Sequence, residues 1–227
     1  MILLIETSTP VCSVALAKGA EILAIRENHE GLSHAKLAAN FVDEIMKETG
    51  VKLSDLDAVA ISKGPGSYTG LRIGVSIAKG LCYALNKPLI AVSSLQAIAQ
   101  TAAKHYDENH LFIPMIDARR MEVYSAVYDA KNECLRDVQA DIIDENSYAN
   151  FAKQPFVLLG DGAKKCEEIF KNHSQIHIDE TLKFSAKNMI SLAQKAFENK
   201  DFVDVAYFEP FYLKDFIAGK PSVKGLK

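Results

Sequence analysis

No apolar run in this chain of 227 residues approaches the roughly 18 residues needed to span a bilayer. Met1-Ile2-Leu3-Leu4-Ile5 stops at Glu6, too short for the core of a signal peptide. Cysteine is scarce, and Cys12, Cys82, Cys134 and Cys166 stand alone without a CxxC pair. Paired thiolate metal ligands are therefore excluded. A reduced, cytoplasmic setting is expected, with the cysteines as small core residues. Charge of one sign is also lacking: the net charge is -3, which leaves no global basic surface for nucleic acid. The local exception, Lys214, Lys220, Lys224 and Lys227, is expected to be a solvated tail. Hydrophobic content of 48% and charged content of 24% fit one large globular domain or two small lobes with a real core.

Against these absences stands one glycine-rich stretch, Ser62-Lys63-Gly64-Pro65-Gly66-Ser67-Tyr68-Thr69-Gly70-Leu71-Arg72-Ile73-Gly74. It follows the apolar run 58–61 and precedes a run of small and apolar residues, so it predicts strand, turn, then helix over 71–85. Free backbone N–H groups at such a helix start often hold phosphate. The helix behind it carries only two charges, Arg72 and Lys79, and a helix apolar nearly all round is buried on more than one side.

A weak internal repeat organises the chain. Ile2-Leu3-Leu4-Ile5-Glu6 is an apolar strand ending in an acid, followed by an alternating strand around 12–16 and a third over 21–26. The same grammar recurs about 110 residues later: Ile113-Pro114-Met115-Ile116-Asp117, a strand over 123–128, and a turn at Lys131-Asn132. Gly64-Pro65-Gly66 then corresponds to Gly160-Asp161-Gly162. Duplicated units mixing hairpins with βα segments predict a mixed α/β sheet in each of two lobes, 1–108 and 109–227. The arrangement looks like the actin, hexokinase and Hsp70 fold.

In that fold Glu6 and Asp117 would face one cleft and hold Mg²⁺ or orient a water. Yet the turns after them, Thr7-Ser8-Thr9-Pro10 and Ala118-Arg119-Arg120-Met121, contain no glycine, so side chains would block a phosphate. Glu6, Gly64, Gly66, Asp117 and Arg119 are therefore expected to be a vestigial nucleotide site or a partner site. His29-Glu30-Gly31-Leu32-Ser33-His34 is one residue too long for HExxH, whose histidines must share a helix face. Ser33 is instead expected to cap a helix beginning at His34. Ser67 is not in a G-x-S-x-G setting, and a capping role is expected for it as well. Arg119, Arg120 and Glu122 are read either as charges that pair at a strand end or as a grip on a carboxylate or phosphate.

Two helices of the first lobe suggest a partner. Over 34–49, Ala35, Leu37, Ala38, Ala39, Phe41, Val42, Ile45 and Met46 cover roughly 200° of arc, twice what one sheet requires. In the next helix Gly70, Gly74 and Ala78 recur every four residues, with Ser76, Gly80 and Ala84 nearby, a ridge that lets another helix approach closely. Ala35, Ala38, Phe41, Val42, Ile45, Gly70, Gly74 and Ala78 are the expected interface.

Residues 2–9 and 63–74, the segment Asp117-Ala118-Arg119-Arg120-Met121-Glu122-Val123-Tyr124 and the late Pro210-Phe211-Tyr212-Leu213-Lys214 occur in order. Together they resemble the bacterial TsaB (YeaZ) family over nearly the whole chain. The resemblance implies a duplicated actin-like ATPase (ASKHA) fold. It also implies a non-catalytic role in making threonylcarbamoyladenosine at position 37 of tRNAs that read codons beginning with adenine. The implied partners are a TsaD-like catalytic subunit and a TsaE-like ATPase, with a homodimer when the partner is absent and tRNA met mainly through the complex. Where the catalytic relative carries two histidine ligands, this chain has Ser94 and Ile98, so no catalytic metal is expected. No cofactor of its own is expected beyond weak or interface-shared ATP or ADP. The alternative is an active small-molecule kinase or ATPase of the same fold.

Overall fold

The computed structural model describes residues 1–31 and 34–214. The expected Ser33 cap and the lysines at 220, 224 and 227 lie outside the described residues. In chain order the elements are β1 (Ile2–Glu6), β2 (Cys12–Lys18), β3 (Glu21–Asn28), α1 (His34–Thr49), β4 (Ala58–Gly64), α2 (Tyr68–Leu85), β5 (Leu89–Ser93) and α3 (Ser94–Ala102). There follow β6 (Leu111–Asp117), β7 (Glu122–Tyr128), β8 (Cys134–Ile142), β9 (Phe156–Leu159), α4 (Glu167–Phe170), β10 (Ile176–Asp179) and α5 (Ile190–Glu198).

The strands form two five-stranded sheets whose orders, β3-β2-β1-β4-β5 and β8-β7-β6-β9-β10, match strand for strand. In each, the first strand is antiparallel to the second and parallel to the fourth. The repeat legible in the sequence is thus a duplication of topology, with Glu6 and Asp117 closing equivalent central strands.

Alternation of side chains along each strand divides the core into layers. On one face of the first sheet Leu3, Ile5, Val14 and Leu16 pack with Val42 and Ile45 of α1 and Val75 and Ala78 of α2. On its other face Ile2, Leu4, Ala15 and Ala17 meet Ala186, Met189, Ile190 and Ala193, from a 3₁₀ turn (Ala186–Met189) and α5. The second sheet mirrors this. Its inner face, with Phe112, Ile116 and Ala126, is covered by Leu95, Ile98, Ala99 and Ala102 of α3.

A cut at 108/109 therefore separates the two sets of strands but not the two packed units. Each inner helix covers the sheet built from the other half of the chain. Burying a large apolar side chain is worth about 1.5–3 kcal/mol, so Leu95 and Ile98 alone bind the halves firmly. The Asn188 side-chain amide also donates to Thr101 Oγ1 at 3.0 Å, joining the two inner helical segments.

Candidate functional site: a filled phosphate cradle and a helix pair

α2 begins as its sequence requires. Ser67 Oγ accepts from Gly70 N at 3.3 Å, and Asn86 closes the helix in the left-handed conformation, as a C-terminal cap commonly does. What stands against the glycine face is the chain's own β1–β2 turn. Thr7, Ser8 and Thr9 are buried, and Ser67 N donates to Ser8 O at 2.6 Å. A Cβ on Gly66 would collide with the Ser8 carbonyl, and one on Gly70 with the Thr7 carbonyl. On Gly74 it would collide with Thr7 Oγ1 and come within 2.9 Å of Ile61. The space where an open loop would receive a phosphate is occupied by Thr7 and Ser8.

The two acids close their own turns in the same way. Ser8 N donates to Glu6 Oε1 at 2.7 Å, and Arg119 N donates to Asp117 Oδ1 at 2.8 Å. Their surroundings differ. Glu6 is buried, and burial pushes its carboxyl above the usual value of 4.5, partly offset by hydrogen bonding from Ser8. Asp117 lies at the surface in an ion pair with Lys165. The expected pair of acids facing one cleft is therefore not formed: one is in the interior and one on the rim. Gly64 is also enclosed, with its Cβ position 3.0 Å from both Leu71 Cδ1 and Phe211 O.

Of the residues expected to meet a partner, Ala38, Val42, Ile45, Gly70, Gly74 and Ala78 are buried within the chain itself. The small-residue ridge does accept a close approach, but from the 7–10 turn and the strands beneath. Ala35 is exposed and Phe41 half-buried. The outward face of α2 carries a second ridge of the same spacing, Ser76, Gly80 and Ala84, all exposed. A Cβ on Gly80 would meet nothing within 4 Å. Tyr83 beside it is 86% exposed.

The segment 203–214 straps the flank of α2, which the sequence did not reveal. Lys79 Nζ donates to Ala206 O at 2.8 Å and Phe208 O at 3.1 Å, and Phe211 N donates to Lys63 O at 2.7 Å. The rings of Tyr68 and Tyr212 lie 4.7 Å apart. Lys214, expected in a solvated tail, instead pairs with Glu122 at 2.5 Å. The only signal in the sequence was the aromatic cluster Phe208, Phe211 and Tyr212.

Ser94 and Ile98 are both buried in α3. Among the described residues no group of three His, Cys, Asp or Glu side chains could hold a metal ion. His34 Nε2 lies 2.8 Å from Thr9 O, and His29 lies 3.9 Å from Glu27. Cys12, Cys82 and Cys166 are buried as expected, whereas Cys134 is exposed at the start of an edge strand. No described helix is long and apolar enough to cross a membrane.

Two duplicated mixed sheets with exchanged inner helices define a protein of the actin-like ATPase (ASKHA) fold, here with the β1–β2 turn seated on the glycine face of α2. The same fold, at a TM-score of 0.52 and 10% identity, is found in an activator of 2-hydroxyisocaproyl-CoA dehydratase from Clostridium difficile, covering 88% of this chain and 95% of that one. Residues 29–221 match the family described as "TsaD: tRNA N6-adenosine threonylcarbamoyltransferase". The chain is 32% identical over 227 residues to the Escherichia coli "tRNA threonylcarbamoyladenosine biosynthesis protein TsaB", covering 96% of each. It is 37% identical over 140 residues to the Bacillus subtilis protein of the same name, covering 62% of this chain and 60% of that one. The solved structure titled "YeaZ from Pseudomonas aeruginosa" superposes with a TM-score of 0.76 at 29% identity, over 93% of this chain and 99% of that one. The chain belongs to the TsaB (YeaZ) family of the tRNA threonylcarbamoyladenosine pathway.

Proposed function

We propose that this chain is a non-catalytic subunit of a cytoplasmic tRNA threonylcarbamoyltransferase. In this reading it pairs with a TsaD-like catalytic subunit and recruits a TsaE-like ATPase. The observation that carries the reading is the filled cradle: Thr7 and Ser8 occupy the glycine face at the start of α2 and leave no room there for a phosphate. Buried Ser94 and Ile98 in place of metal-binding histidines support it further.

The partner surface is the outward face of α1 and α2. Ala35 and Ala39 on α1, with Ser76, Gly80 and Ala84 on α2, keep that face low enough for another helix to lie close. Phe41, Ile73 and Ile77 supply half-buried apolar area beside it. A second copy of the chain could occupy the same face when the catalytic subunit is absent. ATP or ADP, where it acts, binds at a surface completed by a partner.

The test is reconstitution. Mixed at micromolar concentration, the chain and a TsaD-like subunit should co-elute as a heterodimer and together form threonylcarbamoyladenosine on tRNA. Gly80→Arg has room in the isolated chain, so it should keep the fold and lose the heterodimer. Normal assembly of Gly80→Arg would place the interface elsewhere. Tight Mg-ATP binding with turnover by the isolated chain would favour the kinase or ATPase alternative.

A further inference from the structure

Five arginines occur in the sequence. Arg26 bonds to Glu44 and Glu48, Arg72 to Tyr68 Oη, and Arg136 to Asp141 and Ser125. Arg119 and Arg120, adjacent at the tip of the β6–β7 hairpin, are exposed, and their guanidiniums have no hydrogen bond or ion pair among the described residues. The carboxylates best placed in sequence to neutralise them are already taken. Asp117 pairs with Lys165, and Glu122 pairs with Lys214 from the strap. Lys165 and Lys214 thus take the two carboxylates that flank the turn, and neither guanidinium has one among the described residues.

The backbone adds a second observation. Arg119 and Arg120 have φ of 70° and 51°, so two successive residues with long side chains sit in the left-handed region. That conformation favours glycine, asparagine or aspartate, and side chains held there against preference are concentrated at binding sites. Lysines arriving from distant segments fix the turn at both of its ends, at Asp117 and at Glu122.

From this geometry we infer that Arg119 and Arg120 form a contact for the phosphodiester backbone of the tRNA that the complex modifies. An arginine fork matches a phosphate with two parallel hydrogen bonds and remains charged at every physiological pH. Two of them on one rigid turn can take neighbouring phosphates of one strand. The net charge of -3 confines such a contact to a local patch rather than a broad surface. A protein carboxylate surface is the competing occupant. RNA is favoured because the family acts on tRNA, and here the inference rests on the function proposed above.

The experiment uses the heterodimer with the TsaD-like subunit, made with wild type, with Arg119→Ala/Arg120→Ala, and with the control Lys171→Ala/Lys200→Ala, which removes equal charge elsewhere. Assembly is verified first by size exclusion. Binding of an unmodified tRNA reading a codon that begins with adenine is then followed by fluorescence anisotropy from 50 to 200 mM salt. The arginine variant should assemble normally and bind roughly tenfold more weakly at low salt. Its log–log salt slope should fall by roughly 1.4–1.8, the value for two lost phosphate contacts. The control should match wild type in both. Unchanged affinity and slope in the arginine variant would overturn the inference. So would a variant that fails to assemble, which would assign the arginines to a protein partner. If wild type itself does not assemble, the proposed function fails; the isolated chain is then titrated with the same tRNA, and equal affinity of wild type and variant there overturns the inference independently.

Discussion

Substituting alanine at Gly74 and at Gly80 should move stability in opposite directions, although both glycines lie in the interior of one helix. Helix propensity alone favours alanine over glycine by about 1 kcal/mol at either position. At Gly80 nothing lies within 4 Å of the new methyl, so the gain should appear in full. At Gly74 the methyl would collide with Thr7 Oγ1 and come within 2.9 Å of Ile61 Cδ1. Thr7 has little room to retreat, because the next residue accepts from Ser67 N at 2.6 Å and donates to Glu6 at 2.7 Å. Overpacking a rigid site costs about 1–3 kcal/mol, and the upper end applies here, leaving a net loss of about 2 kcal/mol. For a chain of this size that lowers the melting temperature by about 4–8 °C, whereas Gly80→Ala should raise it by about 2–4 °C. Thr7→Ala removes the colliding oxygen and leaves Gly74's new methyl more room, so the double variant should recover part of the loss. Thermal unfolding of the isolated chain followed by circular dichroism decides the matter. A stabilising Gly74→Ala would refute the claim that the β1–β2 turn fills the cradle.

Further outcomes follow from the same geometry. Burial raises the Glu6 carboxyl, so ionising it in the folded chain costs stability as pH rises above about 4.5; the neutral form carries no such cost below that. Glu6→Gln should therefore resemble wild type in urea unfolding near pH 4 and become the more stable of the two by pH 8, and a pH-independent difference would contradict the assignment. In the second lobe Arg136 bonds to Asp141 at 2.5 and 3.2 Å and to Ser125 at 2.5 Å, and its guanidinium stacks over Tyr148 at 4.9 Å. Arg136→Ala should cost about 3 kcal/mol in urea unfolding, because it leaves Asp141 largely enclosed without its partner. Gly80→Arg should unfold at a temperature close to that of wild type while failing to co-elute with the catalytic subunit.

The sheets were legible because each central strand is a short apolar run ending in an acid and followed by a turn, a local pattern that survived duplication. The end of α2 at Leu85 was legible from the run of small residues, whereas its first turn begins at Tyr68, directly after the Ser67 cap and ahead of the expected start at Leu71. The exchange of inner helices was not. Leu95 on Phe112 and Met189 on Leu4 are tertiary contacts, and nothing in the pattern of a helix states which sheet it will cover. The small-residue ridge announced a close approach but not its object. The object was the glycine-free turn at Thr7 and Ser8, whose bulk argued against a phosphate and is itself what fills the site. At the rim, of the two readings of the adjacent charges, pairing within the strand end is not formed: Asp117 finds Lys165 from 48 residues away and Glu122 finds Lys214 from 92 away, partners that no local pattern announces.

Isothermal titration of the isolated chain with Mg-ATP tests the central claim most directly. With Thr7 and Ser8 seated on the glycine face, no saturable heat and no hydrolysis should be observed at millimolar nucleotide. Stoichiometric binding accompanied by turnover would contradict the account, because it would require the β1–β2 turn to leave the cradle.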